Sequence, residues 1–191
     1  MRRPGGENIP RFTQENQEKI ERLILLLLGT SKSSRLSLLH IQKELFVLQR
    51  SSGSLADLFL FVPHYKGPFS KEISEAIVTP LCLDDLWTYS SPKDELSGGY
   101  VELNSSGRRE FNRLMHRITK GDNELLISLV AGMDLVHDLL DDLPPRELLY
   151  VIYTSPEYED FVEHSIFYYQ VVNNTTKQQL ERILDSPKSG R

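Results

Sequence analysis

The sequence predicts a mainly α-helical protein with a small β wing, an α+β fold. Three observations predict it. Apolar residues recur at helical spacing through residues 20–48 and again from 111 onward. Between these stretches, Phe59 to Gly107 holds a short apolar run, a Gly-Pro-Phe-Ser helix start, two short aromatic and β-branched runs joined by a polar loop, and an Asn-Ser-Ser-Gly restart. Beyond Asp122 the strand signals cease. That order is the one a winged helix-turn-helix core with a helical C-terminal extension requires. With 191 residues, 39% hydrophobic and 26% charged, the chain can bury an ordinary core. The expected parts are a mobile arm at 1–12, a winged-helix domain over 13–120, and an acidic helical extension over 122–185, packed on the core or dimerising it.

The first helix is expected to open at a Thr13 cap, to bury Ile20, Leu23, Ile24, Leu27 and Leu28, and to stop at Gly29. A Ser-rich loop, Thr30 to Ser34, leads to a second amphipathic helix. Its stripe is Leu38, Ile41, Leu45 and Leu48, with Gln42, Lys43 and Gln49 outside it. Phe59-Leu60-Phe61-Val62, closed by Pro63, reads as a strand or extended segment. Ser70 caps a third helix with Ile73, Ala76, Ile77 and Leu81 inward. Pro80 has no N–H to donate and ends or kinks that helix near Val78. The wing is Leu86 to Tyr89 and Gly99 to Leu103, after which Asn104 caps a fourth helix bearing Phe111, Leu114, Met115 and Ile118. In the extension, Leu125, Leu126, Leu129, Val130, Met133, Val136, Leu139 and Leu140 form a wide apolar face. Pro144-Pro145 punctuates it, and Leu148 to Tyr153 begins a further helix that Pro156 interrupts.

The formal net charge of −5 is unevenly placed: residues 1–14 carry +2, 15–120 carry +1 and 121–191 carry −8. A local basic face still attracts phosphate within a Debye length of about 8–10 Å, so the total does not exclude DNA. The longest apolar run, Leu23 to Leu28, is far shorter than the roughly 20 residues that cross a bilayer. The start Met-Arg-Arg-Pro-Gly-Gly lacks a secretion signal, so no membrane association and a cytoplasmic location are expected. Cys82 is the single cysteine, and its apolar neighbours predict a buried, inert thiol. No nucleophile constellation, metal-ligand spacing or phosphate loop stands out, so catalytic residues, metal and cofactor are all expected to be none. Asp134, His137, Asp138 and Asp141 lie at helical spacings near one face. They lack a Glu-x-x-His or His-x-x-x-His signature and read as a solvated face.

Three segments, Ile41-Gln42-Lys43-Glu44-Leu45-Phe46, Tyr65-Lys66-Gly67-Pro68-Phe69-Ser70 and Tyr100-Val101-Glu102-Leu103-Asn104-Ser105-Ser106-Gly107, together resemble the pattern of the YwgA-like uncharacterised prokaryotic proteins and, more distantly, of Panacea-domain antitoxins. Leu148 to Glu157 is similar to a C-terminal piece of the former group. One position departs: Asn104 stands where that family usually has Thr, and both residues cap helices. The resemblance implies a winged-helix-like fold in a prokaryotic regulatory or toxin–antitoxin setting, with no catalytic residues to carry across.

Exposed positions of the third helix are expected to be Lys71, Glu72, Ser74, Glu75 and Thr79, a poor set for reading base edges. The fourth helix offers Arg108, Arg109, Arg113, Arg117 and Lys120. Arg109, Arg113 and Arg117 recur every four residues and share a face, which either binds phosphate, meets the acidic C-terminal region or is simply solvated. Gly67-Pro68 and Phe69 read as structural, whereas Tyr65 and Lys66 also fit a contact at the helix mouth. The expected function is a non-catalytic winged-helix regulatory protein touching double-stranded DNA through Lys66, Lys71, Arg108, Arg109, Arg113 and Arg117. The alternative is a protein-interaction module whose partner, a toxin or another subunit, meets Tyr153, Tyr158, Phe161, Phe167 and Tyr168, residues that core packing also explains. The Leu125 to Leu140 face predicts a homo-oligomer formed through the C-terminal helices.

Overall fold

The structure is a computed structural model that describes residues 13–91, 96–162 and 165–172. The expected arm at 1–12, the middle of the wing loop and the end of the extension from 173 lie outside the described residues. The described chain is mainly helical with a small three-stranded antiparallel sheet. Its elements are α1 (Gln14–Thr30), β1 (Arg35–Ser37), α2 (Leu38–Ser51), α3 (Lys71–Val78), β2 (Trp87–Ser90), β3 (Tyr100–Leu103), α4 (Ser105–Lys120), α5 (Glu124–Leu140), α6 (Pro145–Thr154), α7 (Glu159–Val162) and α8 (Tyr168–Val172). Thr13, Ser70 and Asn104 occupy the expected N-caps, each side chain accepting from a backbone N–H of the first turn. Ser37 and Asn123 do the same for α2 and α5.

α1 is the centre of the fold. All six residues from Leu23 to Leu28 are buried, because α3, α4, α5 and β3 pack around it and leave no solvent face there. The helix runs one residue past Gly29, and the Thr30 hydroxyl donates back to the Leu26 carbonyl at 2.9 Å. Gly29 admits the ring of Phe111 from α4: a Cβ there would lie 2.1 Å from Phe111 Cδ2. The sheet order is β1-β3-β2. β1 arises at the end of the Ser-rich loop, where the sequence shows no strand periodicity. It exists because Arg35–Ser37 pairs with Tyr100–Glu102 across the chain. Trp87 of β2 donates its Nε1–H to the Ile77 carbonyl at 3.1 Å and ties the sheet to α3.

One expectation is narrowed and three are corrected. Phe59 to Val62 is the extended segment rather than a ladder strand; Val62 bridges to Phe69 across the turn that the Gly67 N–H closes onto the His64 carbonyl. Phe59 and Phe61 are nevertheless buried, Phe61 meeting the Phe46 ring edge-on at 5.1 Å. Leu81 is 68% exposed instead of inward, because α3 ends at Val78 and Pro80 leads the chain outward. Cys82 is half-exposed instead of buried: the chain turns its backbone, not its thiol, toward the interior. The wide apolar face of α5 also splits. Val130, Met133, Val136 and Leu140 are buried against α1 and α2, while Leu125 and Leu139 stand in solvent with Leu135. Among the described residues, no helix is long and apolar enough to cross a membrane.

Candidate nucleic-acid interface and the buried polar residues of α2

α4 leans on α1 and β3 through Gly107, Phe111, Leu114 and Ile118, which fixes the opposite face outward. That outer face carries Arg108, Arg109, Arg113, His116, Arg117 and Lys120, all exposed. One acid lies at its edge: Glu110, mostly buried, meets Arg113 at 2.6 Å and Arg117 at 4.0 Å. Arg109 donates to the Ser106 hydroxyl at 2.9 Å. Such exposed pairings are weak, about 0–1 kcal/mol each, so a phosphate can compete for these guanidiniums. The four arginines expected from sequence are therefore together. The two lysines are not with them. Lys71 lies on α3 and pairs with Glu75 at 3.0 Å. Lys66 is half-buried in the α2–α3 connection, its Nζ donating to the Leu96 carbonyl at 3.3 Å.

Gln42 and Lys43 are a larger surprise, since both are inside: 2% and 1% exposed. The Gln42 amide brackets Ser70, accepting from its N–H and donating to its carbonyl, both at 2.9 Å. Lys43 donates Nζ to the Pro68 carbonyl at 2.7 Å. Gly67, at φ +79°, lets this loop approach: a Cβ would lie 3.0 Å from the Tyr153 ring and 3.9 Å from Lys43 Nζ. The two motifs, Gln42-Lys43 and Gly67-Pro68-Phe69-Ser70, are thus two halves of one clamp that sets where α3 begins. Burial pushes the Lys43 ammonium down to about 7, and the charge of Lys66 adds to the fall. A cavity of about 100 Å³ sits beside the clamp, lined by Leu38, Lys43, His64, Lys66, Phe69 and Gly98 among others. Burial lowers His64 as well, helped by Lys43 and Lys66.

The next residue of α2, Glu44, is fully buried and faces α5. There His137 Nδ1 lies 3.2 Å from Glu44 Oε2 and 3.7 Å from Asp141 Oδ1. Burial raises the Glu44 carboxyl to about 7 against the pull of His137. For His137, burial works downward, but the carboxylates of Asp141 and Glu44 outweigh it and hold the ring up at about 10. Of the four residues read as a solvated α5 face, Asp134 and Asp138 are exposed, whereas His137 and Asp141 turn inward to this cluster. Spacing within α5 cannot show this, because the third member comes from another helix.

The aromatic candidates for a partner surface are divided by burial. Tyr153 and Tyr158 belong to the core, which removes them from any free surface. Tyr153 bonds the Ser165 hydroxyl at 2.5 Å, and Tyr158 packs on Phe46 at 4.8 Å. Phe161, Phe167 and Tyr168 are half-buried against the same core. Ile166 and Tyr169 of the same segment are exposed, and a longer exposed apolar stripe lies on α5, where Leu125, Leu135 and Leu139 are 73%, 67% and 69% exposed on one side of the helix. Neither the models of known protein families nor the curated proteins nor the solved structures yield a match to this chain.

Proposed function

We propose that this protein is a non-catalytic regulator of winged-helix type that binds double-stranded DNA through the outer face of α4. The observation that carries the reading is that face itself: four arginines, a lysine and a histidine exposed along one helix, with a single mostly buried acid at the edge. The fold class has its own support. The order α1-β1-α2-α3-β2-β3 and the sheet order β1-β3-β2 support a winged-helix reading, while the 19 residues between α2 and α3 far exceed a usual helix-turn-helix turn of about 3–4. α3 carries Lys71 beside Glu72 and Glu75, so base reading in the major groove is not its role. Contact is with phosphate, and sequence preference is weak. Fluorescence anisotropy with a labelled duplex, scanned over salt, tests it. Binding at low salt should weaken with a log–log slope of about −2.7 to −4.5, as three to five phosphates are neutralised. No binding at low salt defeats the reading.

A second reading is favoured by α5. Leu125, Leu135 and Leu139 form an exposed apolar stripe that a second copy of the chain, or a protein partner in a toxin–antitoxin setting, would cover. In this reading the molecule is an interaction module, and DNA contact is secondary or absent. Light scattering at tens of micromolar separates the cases. A dimer that Leu135→Glu converts to monomer places the interface on α5, and a wild-type monomer excludes self-association there.

A further inference from the structure

α2 and α5 bring four polar atoms together inside the protein without giving any of them a hydrogen bond: Oε1 and Oε2 of Glu44, Nδ1 of His137 and Oδ1 of Asp141. Glu44 is 0% and His137 3% exposed, so water does not satisfy them. The cation beside these buried carboxylates is the His137 ring, whose Nδ1 faces both, and a divalent ion can take the place of its proton. The ring Nε2 lies 2.9 Å from the Leu27 carbonyl and 3.0 Å from the Thr30 hydroxyl. A carbonyl only accepts, so Nε2 carries a proton; Nδ1 faces the two carboxylates, and the proton it carries there is the one a bound ion would displace.

The spacing is close to that of coordination. One ligand atom from each of Glu44, His137 and Asp141 lies within 4.8 Å of the others, and the two carboxylates must draw together on an ion. Nitrogen and oxygen ligands at about 2.0–2.2 Å from a tetrahedral zinc stand about 3.3–3.5 Å apart. The Nδ1 to Glu44 distance of 3.2 Å already fits, and the 3.7 Å to Asp141 needs only a small movement of the half-buried residue at the rim. The Nε2–H bond to a backbone carbonyl is the outer support by which proteins orient a metal-bound imidazole. One imidazole with two carboxylates suits zinc or manganese better than calcium or magnesium, which prefer oxygen alone.

We propose that Glu44, His137 and Asp141 form a divalent transition-metal site, best suited to zinc, in which His137 Nδ1 and one oxygen from each carboxylate hold the ion and water completes the shell. Because His137 and Asp141 lie on α5 and Glu44 on α2, the ion ties the C-terminal extension to the core.

The test uses metal-stripped full-length protein. Equilibrium dialysis against Zn2+ should load one ion per chain and raise the thermal midpoint. Asp141→Asn and His137→Gln should each weaken binding about tenfold or more. Asp141→Asn preserves shape at the least enclosed of the three side chains, so it remains informative if substitutions at the other two do not fold. On the wild-type protein alone, 15N NMR of the histidines gives a second readout: loading should shift His137 Nδ1 and leave its Nε2–H in place. Absence of uptake at about 100 μM free Zn2+, uptake that both variants leave unchanged, or an unmoved His137 Nδ1 would each overturn the proposal.

Discussion

Replacing Glu21 by Gln tests how the chain between α3 and β2 is held. Glu21 is 0% exposed on α1, and its carboxylate gathers four donors. Oε1 accepts from Leu81 N at 2.8 Å and from Gln17 Nε2 at 2.7 Å, while Oε2 accepts from Cys82 N at 2.9 Å and Leu83 N at 2.6 Å. A carboxamide has the same shape but one oxygen. With its NH2 toward Cys82 and Leu83 it loses two bonds; with its NH2 toward Gln17, whose unpartnered Oε1 can flip to accept, it loses the Leu81 bond, and in either case the charge that strengthens the remaining bonds is gone. Hydrogen bonds to a charged acceptor contribute about 1.5–3 kcal/mol each. Residues 81–83 are half-exposed or more, so water recovers part of this loss. The expected destabilisation is about 2–4 kcal/mol, a large share of a total stability of about 5–15 kcal/mol. Urea denaturation at constant pH measures it, and hydrogen exchange localises it: the amides of Leu81, Cys82 and Leu83 should lose protection before those of Ile24 or Leu27. A Gln variant within about 0.5 kcal/mol of wild type, with unchanged protection at those three amides, would refute the account of Glu21 as the anchor of this loop.

Lys43→Met keeps the buried stem of the side chain and removes its titration. The folded pKa of about 7 lies below the ordinary 10.5, so above pH 7 the unfolded chain binds more protons than the folded one. Wild-type stability should therefore rise relative to Lys43→Met by about 1.4 kcal/mol per pH unit, approaching about 5 kcal/mol near pH 10.5. A flat difference from pH 7 to 9.5 would count against a buried Lys43. Gly29→Ala should cost about 1–3 kcal/mol by thermal or urea unfolding, since the new methyl meets the Phe111 ring and α4 has to shift; Gly29→Ala paired with Phe111→Leu should recover part of that. In the anisotropy assay, Arg109→Ala, Arg113→Ala and Arg117→Ala should each reduce the salt slope by about 1 and weaken binding without changing sequence preference. Equal slopes in the triple variant and wild type would move the contact off α4.

The helices and caps were legible because they rest on local chemistry. Thr13, Ser70 and Asn104 bond backbone N–H groups two or three residues ahead, a relation that sequence spacing displays directly. The pairing of β2 with β3 was legible for the same kind of reason, as two short aromatic and β-branched runs flanking a polar loop. The arginines of α4 were found from their spacing of four. β1 was not found, because three residues following a Ser-rich loop become a strand only when β3 arrives from 65 residues away. Gln42 and Lys43 were placed outside the α2 stripe by a rule that assumes one wet face, and Glu44 beside them was not singled out. α2 has no such face over this turn: the α3 approach covers Gln42 and Lys43, and α5 covers Glu44.

By itself, then, the amino-acid order determined the main helical segments, where α1, α3 and α4 begin, and that cations collect on α4 while acidity collects beyond residue 120. These follow from backbone capping, side-chain periodicity and formal charge, which act over a few residues. Tertiary structure alone decided that three successive polar residues of α2 face inward, that His137 and Asp141 meet Glu44, and that Leu125, Leu135 and Leu139 stay in solvent. Burial and electrostatic pairing depend on what the far parts of the chain place around a side chain. Two residues of identical local pattern, such as Val136 and Leu139, end on opposite sides of the solvent boundary because α1 and α2 cover only one side of α5.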